Sequence, residues 1–179
     1  KGTSKTSQDR GLIRYLMRHR HTTPFEMVEF KYHCKMPIFV ARQWVRHRTA
    51  NINEYSLRYS EARDEFYMPD PEHIQFQSSL NKQGRMGEVP PELKQKVQQY
   101  FKEISDRSFE IYSELNKAGV ARELARSILP VNLYTEWYWK NDLHNLLHFV
   151  GLRSDSHAQY EIRVFSDAMA ESVKKVAPF

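Results

Sequence analysis

The stretch "VEFKYHCKMPIFVARQW", Val28 to Trp44, changes its hydrophobic period in mid-course. Val28, Phe30, Tyr32, Cys34 and Met36 alternate with Glu29, Lys31, His33 and Lys35, the two-residue repeat of a strand with one buried face. The spacing predicts a β-strand over Val28–Lys35. Pro37 then supplies a preset φ and lacks an N–H, which suits the first position of a helix. A helix is therefore expected over "PIFVARQWVRHR", Pro37–Arg48, with Arg42, Gln43 and Arg46 on one face.

Working outward, Gln8–Arg20 carries Leu12, Ile13, Leu16 and Met17 at helical spacing, with Asp9 near its start and basic residues at its end. "TPFE" reads as a single turn, with Thr23 as cap, Pro24 in the first helical position and Glu26 reaching back. After Arg48, "TANINEYSLRYS" lacks helical periodicity and is read as a loop with a short extended piece. Residues 69–91 are polar and proline-rich, as in a surface excursion. Residues 91–117 hold Val97, Tyr100, Phe101, Ile104, Ile111, Tyr112 and Leu115 on one stripe, and Gly119 follows as a stop signal. "ARELARSIL" predicts a short helix ending before Pro130, and "VNLYTEWYWK" a second strand. "DLHNLLHFVG" and Ser156–Val176 predict two more helices, the latter opened by Ser156 with Gln159 in capping-box spacing. The order implies an α+β fold: one domain over residues 1–179, its small, mostly antiparallel sheet flanked by long helices.

With 40% hydrophobic and 27% charged residues, the composition is that of a globular chain. No run of eighteen apolar residues occurs and "KGTSKTSQDR" has no apolar signal core, so a cytoplasmic protein without membrane contact is expected. The single cysteine, Cys34, excludes an internal disulfide. A net charge of +5 suits nucleic acid, acidic surfaces or small polyanions alike. Both chain ends are provisional.

Arg42, Arg46, Arg48 and Arg58 fall within nineteen residues together with Trp44, Tyr55 and Tyr59. Guanidinium forks grip phosphate bidentately and aromatic rings stack on flat rings, a combination that points to a nucleotide. The alternatives are a solvated basic helix face with Trp44 in the core, or a single-stranded nucleic-acid-binding module over residues 42–60. Against that module, Glu54 and Glu61 interrupt the basic stretch. His144 and His148 are four apart on one helix, yet no glutamate follows the first and no third ligand is evident, so no metal is expected. Cys34 lies on the apolar face of its strand, as inert cysteines do. Arg153 precedes the start of the last helix, where free N–H groups favour anions.

Arg46-His47-Arg48, seven residues, then Ser56 and "NEYSLRYS" resemble the signature of flavin-dependent thymidylate synthases. "HTTPFE", "PIFVARQW", "LPVNLYTEWYW" and "LRSDSHAQYEIR" extend the resemblance over most of the chain. The resemblance implies a homotetramer with active sites at subunit interfaces. It would convert 2′-deoxyuridine 5′-monophosphate (dUMP) to dTMP, with the carbon from 5,10-methylenetetrahydrofolate and the hydride from reduced FAD regenerated by NADPH. It places FAD at His21, Thr23, Arg46, His47, Arg48, Asn53, Glu54, Asp142, His144 and His148. It places dUMP at Gln43, Trp44, Arg46, Glu54, Tyr55, Ser56, Leu57, Arg58, Arg126 and Arg153. Asp142 stands where an Asn is common and Leu57 where some members have Gly. The family's N-terminal strand and part of its C-terminal tail have no counterpart in this chain.

Arg153 and Ser56 are the candidate catalytic groups. Arg153, at a helix N-terminus, would stabilise negative charge on the pyrimidine without a cysteine nucleophile. Ser56 lacks a His-Asp pair to activate it and is assigned hydrogen bonding to the nucleotide.

Overall fold

The alternation that starts at Val28 becomes strand β1, Glu29–Pro37, whose charged residues Glu29, Lys31, His33 and Lys35 are exposed while Cys34 and Met36 are buried. This computed structural model describes residues 7–178 apart from 81 and 83. Its helices are α1 Ser7–Arg18, α2 Thr23–Glu26, α3 Ile38–Trp44, α4 Pro91–Lys117, α5 Arg122–Ala125, α6 Leu143–Arg153 and α7 Tyr160–Val176. The further strands are β2 Asn51–Glu54, β3 Phe76–Gln77, β4 Arg85–Met86 and β5 Tyr134–Asp142. The architecture is α+β, with one three-stranded sheet in the order β1-β5-β2 and a separate antiparallel hairpin, β3-β4. Leu143 N–H bonds the Val28 carbonyl and Ile38 N–H bonds the Leu133 carbonyl, so β1 and β5 run antiparallel.

The chain forms two compact units that interleave in sequence: one takes residues up to Tyr32, Thr49–Asn51 and Lys140 onward, the other His33–Arg48 and Ile52–Trp139. In the first, α6 packs on α2 and α7. Phe25, Leu146, Phe149, Ile162, Met169 and Val173 form its apolar interior. In the second, α4 packs on α5, on the 3-10 turn Arg126–Ile128 that follows it and on the 3-10 turn Pro71–His73, and the interior centres on Trp44, Trp137, Trp139, Tyr112 and Leu133. Trp44 meets Trp137 and Trp139 edge to face, with ring centroids 5.5 and 5.4 Å apart, a favoured aromatic geometry.

Several element boundaries differ from the sequence expectation. α3 stops at Trp44 instead of running to Arg48, with Val45 as its C-cap and Val45 and Arg46 in a turn. Burying Trp44 and then entering β2 requires the chain to leave the helix there, so Arg42 and Arg46 share no helical face. Pro37 ends β1 and caps α3 from outside, in extended conformation. α1 ends at Arg18 because Arg20 adopts a left-handed φ of 57° while His21 N–H reaches back to the Leu16 carbonyl, the closing bond of a Schellman motif. Thr22, not Thr23, caps α2, without a side-chain bond. α7 begins at Tyr160, since the Asp155 carboxylate takes the His157 N–H at 2.8 Å and holds that stretch in a turn, the competition short acidic side chains offer a helix. Residues 69–91 include the β3-β4 hairpin, too short to leave a period.

Candidate functional site

The second unit contains a cavity of about 340 Å3 lined by Glu54, Tyr55, Ser56 and Leu57 on one side and Arg126, Ser127 and Leu129 on the other. Ile38, Leu133 and Thr135 complete it. That volume lies in the range of small-ligand sites. Each wall follows from local structure. Tyr55 N–H bonds the Glu136 carbonyl at 2.8 Å, which continues the β2-β5 pairing past Glu54 and fixes the chain just before Ser56. Thr135 Oγ1 donates to Glu54 Oε1 at 2.7 Å, so the carboxylate is held by β5. Beyond Ser56 the chain turns, with Tyr59 and Ser60 N–H both on the Ser56 carbonyl and Arg58 N–H donating to Ser56 Oγ at 3.3 Å. On the facing side, α5 passes into a 3-10 turn, Arg126–Ile128, whose first residue is the half-buried Arg126.

The Arg126 guanidinium, the Glu54 carboxylate and the hydroxyl-bearing residues Tyr55, Ser56, Ser127 and Thr135 thus line a common space beside apolar Leu57, Leu129 and Leu133. Such a set can hold an anion at Arg126 and accept or donate hydrogen bonds around a polar ring.

Of the residues expected at a nucleotide, the cavity gathers Glu54, Tyr55, Ser56, Leu57 and Arg126. Arg58 is not in its lining: it pairs with Glu123 at 3.4 Å and lies over the Tyr59 ring. Trp44 is 0% exposed, so its ring cannot stack on a ligand. Gln43 Oε1 is buried and meets no hydrogen-bond donor among the described residues, the kind of orphaned acceptor a bound partner satisfies. Arg46, His47, Arg48 and Asn53 follow α3 in the turn and in β2, with the three charged or amide groups other than His47 exposed.

The remaining expected residues belong to the first unit. His21 and Thr23 lie exposed around the start of α2. Asp142 caps α6, taking the N–H and the side-chain amide of Asn145, both at 2.8 Å. His144 and His148 stand on α6, half-buried and exposed. No group of three possible metal ligands occurs among the described residues. Arg153 occupies the last turn of α6 and not the start of α7, so it sits at the negative end of a helix dipole. Burial pushes its guanidinium below its usual range.

Cys34 is buried, and burial pushes its thiol up to about 11. Sequence reading missed Thr135, Ser127 and Leu129 of the lining, and also Arg122 and Glu123 of α5. The one local signal was the spacing of Arg122 and Arg126, four apart on a helix before Pro130.

The family model of thymidylate synthase complementing protein matches residues 1–179. The flavin-dependent thymidylate synthase of Ehrlichia ruminantium is 58% identical over 178 residues, 99% of this chain and 60% of that protein. That of Rickettsia conorii is 54% identical over 192 residues, 100% of this chain and 65% of its own length. The chain thus spans less than two thirds of the length of these curated relatives. The crystal structure of a UMP/dUMP methylase, PolB from Streptomyces cacaoi, bound with 5-Br UMP, superposes with a TM-score of 0.90 at 34% identity, covering 98% of this chain and 81% of that one. The same methylase bound with 5-Br dUMP also has a TM-score of 0.90, covering 99% of this chain and 79% of that one.

Proposed function

This chain belongs to the thymidylate synthase complementing protein family, and from that premise we propose that it methylates dUMP reductively to dTMP. The carbon comes from 5,10-methylenetetrahydrofolate and the hydride from reduced FAD, which NADPH regenerates. The observation that carries the reading is the cavity that brings Glu54, Tyr55, Ser56 and Leu57 opposite Arg126. The single-stranded nucleic-acid alternative finds no support: Trp44 offers no stacking face, and Glu54 and Glu123 stand among the arginines.

The donor set fits a flavin dinucleotide. Arg46 and Arg48 are exposed cations on either side of His47, able to pair with the phosphates of a dinucleotide. Arg46, His47, Arg48, Asn53 and Glu54 of the second unit would hold it, and by the family resemblance His21, Thr23, Asp142, His144 and His148 of the first unit are flavin contacts as well. Flavin supplies the two-electron reduction. The chain's own residues bind and orient: Arg126 takes the phosphate, Ser56 donates to the nucleotide, and the bond from Thr135 keeps the Glu54 carboxylate turned to the cavity. Arg153 stabilises charge on the pyrimidine, acting through its guanidinium alone.

The test is a visible spectrum of the purified protein before and after NADPH, with dUMP and methylenetetrahydrofolate present. Bleaching of bound flavin followed by dTMP formation is expected; a colourless protein that makes no dTMP after FAD is added would refute the reading. A Cys34→Ala variant should keep turnover within about two-fold of the parent, because a neutral buried thiol attacks nothing. Lost turnover in folded, flavin-bound Cys34→Ala protein would reinstate cysteine chemistry.

A homotetramer with shared active sites is also proposed. Leu93, Tyr100 and Ile104 lie on one side of α4 and are 41%, 50% and 60% exposed, while the side that packs inward carries Ser105 and Tyr112. An apolar stripe left open on a long helix suits a second copy of the chain. Ile104→Asp should therefore shift the particle to a smaller mass in light scattering. An unchanged mass would remove α4 from the interface.

A further inference from the structure

The two walls of the cavity are far apart in sequence, and α5 ties one to the other. Arg122 donates from one guanidinium nitrogen to the Tyr59 carbonyl at 2.9 Å, while its other terminal nitrogen lies 3.3 Å from Glu61 Oε1. Tyr55 OH, from the wall itself, donates to the Glu61 carbonyl at 2.9 Å. The turn that follows Ser56 is thus gripped at Tyr59 and Glu61 by the first residue of α5. The same short helix leads directly to Arg126 on the facing wall.

We propose that Arg122 is a positioning residue: its two-pronged hold on the turn after Ser56 fixes that wall at a set distance from Arg126, and so sets the cavity's affinity for a nucleoside monophosphate. This rests on the functional reading given above. Arg122 does not line the cavity and touches no substrate. Its side chain and that of Glu61 are 45% and 62% exposed, so their ion pair adds little to overall stability and acts locally. The planar fork suits this hold, since its two terminal nitrogens are set apart and pre-oriented toward the carbonyl and the carboxylate, whereas a Lys ammonium presents its donors from one point on a flexible stem. Loosening the turn would let Ser56 and Arg126 drift out of simultaneous reach of one ligand, and small displacements of that sort are costly.

Titration calorimetry of dUMP into flavin-loaded protein tests this, together with steady-state kinetics. Arg122→Ala should raise the Kd about ten-fold and the KM in parallel, with kcat retained at saturating nucleotide. Arg122→Lys should fall between, keeping one of the two contacts. The unliganded thermal midpoint should stay within about 2 °C of the parent in both variants. A parental Kd in Arg122→Ala, or a fall in kcat equal to that in kcat/KM, would overturn the proposal. So would a midpoint lowered by more than about 5 °C, which would make Arg122 a stability residue. Parent protein that takes up no dUMP refutes the functional reading and this proposal with it.

Discussion

Arg153→Ala should leave a folded, flavin-binding protein whose turnover is lower by about two to three orders of magnitude, the scale of one preorganised electrostatic donor. Arg153 is held in the final turn of α6 and is half-buried. Partial dehydration pushes its pKa down, yet a guanidinium stays charged throughout the working pH range. Charge kept in a partly dry place acts more strongly on a neighbouring developing anion than the same charge in water. Sequence spacing placed this arginine at a helix start, where backbone N–H groups would add to its effect. At a helix end the carbonyl dipoles instead favour the cation itself. The whole electrostatic contribution therefore rests on one side chain, and deletion should remove it in one step. Single-turnover oxidation of reduced flavin in the presence of dUMP and folate separates this step from binding. Turnover near the parental value would take Arg153 out of the chemistry.

The second large effect concerns stability. Trp44→Ala should cost about 3–5 kcal/mol, the usual range for emptying a large aromatic site in a core. That is a substantial part of the about 5–15 kcal/mol that holds a domain together. The ring is fully buried and lies edge-on to both Trp137 and Trp139, so neither solvent nor a rearranged side chain can readily fill the gap. Urea unfolding followed by far-UV circular dichroism gives the number. A loss under about 1 kcal/mol, accompanied by weakened dUMP or FAD binding, would return Trp44 to the role of a stacking surface.

Elements with a sustained period could be read directly. The alternation from Val28 to Met36 and the run from Pro91 to Lys117, bounded by a proline and a glycine, became β1 and α4 because burial on one face and the end signals agree. Gly119 has a φ of 79°, which a left-handed helix stop requires. Boundaries set by tertiary demands could not be read. Nothing between Trp44 and Arg48 stops a helix locally; the chain leaves it to enter the sheet. Ser156 and Gln159 mimic a capping box, but the Asp155 carboxylate takes the His157 N–H and holds the stretch in a turn before the helix begins. The stripe on α4 was correctly identified as apolar, yet Tyr100 and Ile104 face outward, since periodicity tells which residues share a side and not what covers it.

The site divides in the same way. The arginines and aromatic rings of residues 42–60 point to a nucleotide and no further; only the Arg46-His47-Arg48 to Ser56 spacing and its flanking motifs add a flavin to the expectation. The gathering of Glu54 to Leu57 against Arg126 depends on pairing between residues 81 apart, and the grip of Arg122 on Tyr59 and Glu61 on contacts 63 and 61 residues apart. Neither leaves a local trace.

Trp44, Trp137 and Trp139 are the chain's three tryptophans, and all belong to one buried cluster. Native ultraviolet fluorescence therefore arises from a single water-free location, with emission shifted to the blue and excitation shared among closely spaced indoles. Any event that lets water into the middle of β5 should appear as one red shift, which makes the protein its own optical gauge of sheet integrity without an added dye.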